Sequence, residues 1–415
     1  MRPDPLAHGA AQAPDGRYIY IACPWTPKGG GMYKVADYLI QSQAVTRPAQ
    51  AAELRPLDTR GDGSSVASLW VLTTALARLL RGRLNGQLAG VHVNMAERLS
   101  LFRKCSVIMA SRALGLPVVL HLHAAQLHHF YRRLPGGLQA LTRWSFSLAD
   151  GCVVLGAASR RFVCEELGVP PERVEILING VPEPGLARRL PDDSGQGLRQ
   201  LLFVGNLSER KGVSDLLQAV ARPDFDSRRV QLTLAGGGNI AGYQAQARAL
   251  GIDGWVRFAG WSDQAQVAQL MARADLLVLP SYDEGLPLVI LEALAQGVAV
   301  VCTPVGEIGS TLTDGEHACF VQPGDVAGLA RALQALLEAP QQRQKLERQG
   351  QALYRAQFSM PRFFAGLARI HQRHFGTAAA ARTASEAAPA SSGSEPASAT
   401  GSARAQAPAQ KAQHD

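Results

Sequence analysis

The sequence predicts an α/β fold of two doubly wound domains, each a parallel sheet with helices on both faces. Three features carry that expectation. Eleven short apolar runs, bounded by glycine, alternate with helical patterns of roughly 10–20 residues, the mark of successive βα units. Those runs fall into two series. Between them lies "PEPGLARRLPDDSGQG" (Pro182–Gly197), a stretch rich in proline, glycine and charge, as a domain boundary is.

In order, the first series reads "YIYIAC" (18–23), "GVHVNM" (90–95), "PVVLHLH" (117–123), "GCVVLG" (151–156) and "VEILIN" (174–179). The second reads "RQLLFVG" (199–205), "VQLTLAG" (230–236), "WVRFAG" (255–260), "ADLLVLPS" (274–281), "AVVCTPV" (299–305) and "ACFVQP" (318–323). A last helix, "MPRFFAGLARIHQRHF", stands outside both series and is expected to pack back across the boundary. The expected organisation is a flexible 1–16, an N-terminal domain 17–181, a linker 182–197 and a C-terminal domain 198–357. The returning helix spans 358–375. Residues 376–415 are Ala/Ser/Pro-rich with almost no large apolar side chain, so burial cannot offset their ordering entropy. A disordered tail is expected there.

The 415 residues suffice for two domains, and 47% hydrophobic with 18% charged residues suits a globular protein with real cores. Six scattered cysteines without metal-type spacing point to reduced thiols, and no apolar segment of a secretory signal opens the chain. A cytoplasmic protein is the expectation. The longest apolar stretch, Gly285–Gly306, holds Glu292 and two prolines, so it reads as a buried helix and strand and not a membrane span. Charge is uneven: residues 1–190 carry 22 basic and 13 acidic side chains, residues 191–375 carry 17 and 18. A basic first half suits an anionic membrane surface, nucleic acid or a phosphate-bearing substrate, or is simply arginine-rich surface. Without interleaved aromatics or a recognition motif, nucleic acid is not expected.

Chemistry concentrates in "SYDEGLPLVILEALAQGVAVV" (Ser281–Val301). The strand before it delivers Glu284 to a loop at its carboxyl end, where ligands of such sheets bind. A helix follows, with Pro287 in its first turn and Gly297 just past its end. Its start, with the backbone of Gly285, Leu286, Pro287 and Leu288, makes a seat for a diphosphate. A carboxylate repels phosphate but accepts hydrogen bonds from sugar hydroxyls, so Glu292 suits a ribose beside that seat. The alternative is that Glu292 snorkels to solvent or pairs with an arginine.

The pattern E-G-L-P-x-x-x-L-E-A-L-A-x-G-x-A-V-V closely resembles the E-x7-E signature of retaining nucleotide-sugar glycosyltransferases of family four, which have two Rossmann-like domains (the GT-B fold). "LLFVGNLSERKG", "LTLAGGGN", "VRFAGWSD" and "VGEIGSTLTDGEHACFVQPGD" follow the family's order in the second half. "GGGMYKVADYL", "VNMAERLSLFRK", "PVVLHLHAA" and "VEILINGVP" are similar to its first domain. The resemblance covers roughly residues 18–375. It implies that Lys211 neutralises the leaving diphosphate, that Glu292 binds the ribose, and that Glu284 orients the sugar or steadies charge at the anomeric carbon. It also implies that Gly30 and Gly31 let backbone approach the donor phosphate, and that His123 contacts the sugar, with His121 behind it. Where relatives often have an arginine, this chain has Asn206, and the neighbouring Arg210 is a candidate for the second charge. Tyr33 stands where relatives carry a small residue. Arg103 and Lys104 are candidates for an acceptor phosphate, with a solvated basic helix face as the alternative.

The resemblance thus implies a retaining hexosyltransferase that needs no metal or other cofactor. Its donor would be a nucleotide-sugar, and its acceptor a glycan or a polyprenyl-diphosphate-linked saccharide in cell-surface polysaccharide assembly. Peripheral contact with the inner face of the plasma membrane remains compatible. The alternatives are an inactive partner subunit of the same fold and a nucleotide-sugar epimerase. "LAGGGNIA" (234–241) also fits a dinucleotide fingerprint, but it follows the second strand of its domain and no acidic residue ends a following strand.

Overall fold

In the computed structural model, residues 16–26, 30–48, 51–61, 63–96, 99–124, 126–189 and 197–376 are described. The expected flexible N-terminus to residue 15, the linker positions 190–196 and the tail from 377 lie outside them.

Two parallel sheets of six strands each form the framework. The first contains β1 (Tyr18–Cys23), β2 (Glu53–Asp58), β3 (Leu88–Met95), β4 (Val118–Leu122), β5 (Gly151–Val154) and β6 (Val174–Ile176), in the order β2-β1-β3-β4-β5-β6. The second contains β7 (Arg199–Val204), β8 (Val230–Ala235), β9 (Val256–Gly260), β10 (Leu276–Leu279), β11 (Ala299–Cys302) and β12 (Cys319–Phe320), ordered β12-β11-β10-β7-β8-β9. Every residue of β3, β4, β5, β10 and β11 is buried, as strands covered on both faces must be. All eleven runs read from the sequence hold one of these strands. The twelfth, β2, was not foreseen. Its sequence "ELRPLD" is charged, carries Pro56 and is only half-buried. An edge position explains all three properties, because only one side of the strand must pair.

The chain crosses between the halves at two adjacent points. Val181 N donates to Phe358 O at 2.9 Å, and Tyr354 OH reaches Val181 O at 3.2 Å. The helix Met360–Phe375 then lies against the first sheet. Added Cβ atoms at Gly90 and Gly151 would stand 2.6 Å from the Phe375 ring and 2.5 Å from the His374 ring, so this docking needs glycine on both strands. Its His371 joins a buried file of imidazoles. His92 Nδ1 lies 3.0 Å from His371 Nε2, and His92 Nε2 lies 3.2 Å from His121 Nδ1. Among the described residues, no helix is long and apolar enough to cross a membrane.

Candidate functional site

The carboxyl ends of both sheets face one cleft, and three loops of the second half build its floor. After β7 the chain makes a short turn (Glu209–Lys211) ended by Gly212 in the left-handed region, φ 66°. A side chain at Gly212 would meet Pro280 O at 2.0 Å. That close approach lays Lys211 against the loop after β10, where Tyr282 N donates to Arg210 O at 2.8 Å. After β11, Gly306 (φ 60°) packs on Glu284 O, where a Cβ would stand 1.9 Å away, and Glu307 N donates to Gly285 O at 3.0 Å.

These contacts bring the predicted charged residues together. Lys211 Nζ donates to Glu284 Oε1, which also accepts from Ser281 Oγ at 2.8 Å. Glu284 is 7% exposed. Arg210 donates from one guanidinium nitrogen to Asp283 O at 2.6 Å, and the same nitrogen lies 3.9 Å from Glu284 Oε2. Arg210 therefore adds the second positive charge beside Lys211. Asn206 is exposed.

The helix Leu288–Gln296 places Pro287 as its N-cap, one position outside the expected first turn, and Gly297 (φ 72°) as its C-cap. Pro287 has no N–H, so of the expected seat only Gly285, Leu286 and Leu288 retain donors, and Leu288 alone of these lies in the helix. Glu292 is the one residue of that helix that is not buried. Its carboxylate accepts from Tyr38 OH at 2.8 Å and pairs with Lys34 Nζ at 2.6 Å, both on the other half. The partner is thus a lysine and a phenol, not the arginine named as an alternative. Gly30 (φ 68°) and Gly31 begin the helix Gly30–Thr46 that carries them, and a Cβ on Gly31 would lie 4.0 Å from Leu288 Cδ1. Tyr33 packs edge-on against Trp25, ring centroids 5.9 Å apart.

Two further contacts join the halves through carboxylates of the second. Gln126 Nε2 donates to Asp283 Oδ2 at 2.6 Å. Glu307 caps the helix Ala157–Glu165, accepting from Ser159 N at 2.8 Å, Ser159 Oγ at 2.9 Å and Ala158 N at 3.4 Å. Neither Glu307, Lys34, Tyr38 nor Gln126 was singled out from the sequence. The only signal for Glu307 was its place in "VGEIG", the loop after a buried strand.

A cavity of about 590 Å³ opens between the halves, lined by His128, Arg132 and Phe162 on one side and Asp283, Glu284 and Gly306 on the other. Leu122 and Ala124 line it too, and His123 stands between them. The His123 ring lies over His121 at 4.0 Å, and its Nε2 is buried without a partner among the described residues. Burial first, then His92 and Lys104, lower its pKa to about 3, so it is neutral at physiological pH. Arg103 and Lys104 are on the helix Leu99–Ala113, and neither lines the cavity. Lys104 is fully buried and donates to Ala22 O and Thr59 Oγ1, both at 2.7 Å. Burial lowers its pKa to about 7. Arg103 is half-buried, its guanidinium disfavoured by burial and by Arg60.

Residues 192–353 match the family "Glycosyl transferases group 1", and residues 59–183 match "Glycosyltransferase Family 4". The chain is 31% identical over 241 residues to the glycogen synthase of Mycobacterium tuberculosis, a match covering 56% of this chain and 57% of that protein. The chain therefore spans little more than half the length of that relative. It is 31% identical over 279 residues to the phosphatidyl-myo-inositol mannosyltransferase of Mycobacterium leprae, covering 66% of this chain and 70% of the relative. Among solved structures, HepE of Anabaena in complex with UDP-glucose superposes with a TM-score of 0.64 at 20% identity, over 85% of this chain and 98% of that one. The two-sheet architecture is the GT-B fold, and the chain belongs to the group 1, family 4 glycosyltransferases.

Proposed function

We propose that the chain is a retaining, metal-independent glycosyltransferase that moves a sugar from a nucleotide diphosphate to a hydroxyl of a glycan or lipid-linked saccharide. The carrying observation is the Lys211–Glu284 pair, in the loop that leads into the helix at Leu288, with Glu292 one turn along that helix. HepE of Anabaena, of the same fold, has been seen with UDP-glucose, which supports a nucleotide-sugar donor.

In this reading the diphosphate lies over the N–H groups of Gly285, Leu286 and Leu288, with its charge met by Lys211 and Arg210. Glu292 takes the ribose hydroxyls. As the bond from the anomeric carbon to the diphosphate oxygen breaks, negative charge builds on that oxygen and Lys211 stabilises it. The acceptor hydroxyl attacks the same face, and its proton passes to the departing diphosphate oxygen. Glu284 steadies the sugar, and the neutral His123 meets one of its hydroxyls. Because two fixed cations and a helix start face the leaving group, the step needs no metal. We place the acceptor in the 590 Å³ cavity, which neither Arg103 nor Lys104 lines, so neither receives its phosphate there.

A lipid-linked acceptor would be met at a membrane. The helix Ser65–Leu84 presents Val66, Leu69, Trp70, Leu80 and Leu84 to solvent, Trp70 being 72% exposed. It carries Arg78, Arg81 and Arg83 and no acidic residue. An apolar stripe with basic flanks suits an anionic bilayer surface. The helix begins after the carboxyl end of β2, on the same edge of the sheet as the cleft.

The test is product analysis with nucleotide-sugars and saccharide or lipid-linked acceptors, with and without a chelator. An α-linked donor giving an α-linked product at an unchanged rate supports the reading. An inverted anomer or loss of transfer on chelation contradicts it, and a changed donor sugar without transfer would indicate an epimerase.

A further inference from the structure

We propose that Lys34 and Tyr38 position the Glu292 carboxylate for the donor ribose, so that nucleotide affinity is built from both halves of the molecule. The proposal rests on the reading of Glu292 as the ribose contact.

Lys34 and Tyr38 are four residues apart on one helix, and therefore share a face. Both reach the same oxygen of Glu292: Tyr38 OH at 2.8 Å and Lys34 Nζ at 2.6 Å, each on Oε1. Among the described residues, Oε2 has no hydrogen-bond partner. The Lys34 ammonium also lies 5.7 Å from the Tyr38 ring centroid, so the two side chains hold one another. Tyr38 is 4% exposed, and burial followed by the charge of Glu292 raises its phenol far above the ordinary value. It therefore stays protonated and donates to Glu292.

Eight of the nine residues of the Leu288–Gln296 helix are buried, so a lone carboxylate there would swing towards water. Two donors on Oε1 remove that freedom and offset its charge. Oε2 keeps its lone pairs for a neutral diol in the pocket of about 120 Å³ that Glu292 lines with Lys34 and Tyr38. A pre-oriented acceptor binds hydroxyls without the entropy of ordering the side chain. The contacts come from the opposite half, so an opened cleft would lose them together with the ribose site.

Isothermal titration of the full chain with UDP, GDP and ADP, and with the 2′- and 3′-deoxy forms of whichever binds, tests this. Tyr38→Phe keeps the packing and removes one donor; Lys34→Met removes the other, with Lys34→Arg as the conservative rescue. Each loss should weaken the ribonucleotide about tenfold, as expected for a hydrogen bond to a charged group. The same variants should change binding of the matching deoxynucleotide little, which a general packing defect would not do. In Glu292→Gln, adding Lys34→Met should cause little further loss. Wild-type or tighter nucleotide binding by both single variants, with Glu292→Gln still weakened, overturns the positioning role alone. Unchanged binding by Glu292→Gln, or no binding of any nucleotide by wild type, overturns the ribose reading as well.

Discussion

Lys211 and Glu284, 73 positions apart in sequence, meet side chain to side chain in the cleft, and Ser281 Oγ donates to the same carboxylate at 2.8 Å. A buried carboxylate and a half-buried ammonium held in contact place one negative and one positive group at fixed positions before any ligand arrives. Such preorganisation spares reorganisation at the moment of bond breaking.

In the proposed function Lys211 is the cation that faces the leaving diphosphate, and Lys211→Ala removes it. Transfer should fall by about 10²–10³-fold, the usual effect of deleting one preorganised electrostatic group. It also leaves Glu284 with only Ser281 Oγ and the more distant Arg210, which should lower stability by about 2 kcal/mol, as for a lost hydrogen bond to a charged group. Measuring kcat at a temperature where the variant is fully folded separates the two effects.

Glu307→Ala strips the cap from the helix Ala157–Glu165 and breaks a contact between the halves. Cap loss should lower stability by about 1 kcal/mol. A cleft that closes less well admits more water, so the ratio of donor hydrolysis to transfer should rise. Gly156→Ala should act similarly, because its Cβ would stand 2.1 Å from Glu307 Oε2. An unchanged hydrolysis ratio in both variants would contradict the closure role.

Trp70→Glu and Leu69→Glu place charge on an exposed helix face, so melting should shift little. Both should abolish sedimentation with vesicles containing anionic lipid, while transfer to a soluble acceptor persists. Retained sedimentation would remove this helix from the membrane contact.

The imidazole of His92 is 1% exposed, and burial lowers its pKa from 6.5 to about 3. The unfolded chain binds its proton first as pH falls. Its contribution to stability is therefore complete above pH 6.5 and drains away towards pH 3, at up to about 1.4 kcal/mol per pH unit. His121, His123 and His371 are lowered in the same sense. Denaturant unfolding between pH 7.5 and pH 5 should show stability falling with pH, and less steeply in His92→Gln. A slope unchanged by that substitution would mean the file does not titrate on unfolding.

The runs that became central strands announced themselves because both faces are buried and their residues are apolar throughout. The final helix was legible in "MPRFFAGLARIHQRHF", and the observed Met360–Phe375 starts two residues inside the expected 358–375. What escaped was whatever depends on how the halves meet. Tyr38 and Glu292 are 254 positions apart, and nothing in either neighbourhood names the other. The edge strand β2 escaped because its side chains answer to solvent on one side. Lys104 reads as one of a basic pair, yet it falls on the apolar face with Leu101 and Ile108, at helical spacing. That periodicity was the signal for a buried lysine.

The proposed function requires that a nucleotide-sugar be held through Glu292 and Lys211. The most direct measurement is the melting temperature of wild type, Glu292→Gln and Lys211→Ala with saturating UDP-, GDP-, ADP- and dTDP-sugars, with and without a chelator. A bound donor stabilises by mass action. The account predicts a rise with one nucleotide class in the wild type, indifferent to chelation and lost in Glu292→Gln. A folded wild type that responds to none of them, or a rise that survives in both variants, would contradict it.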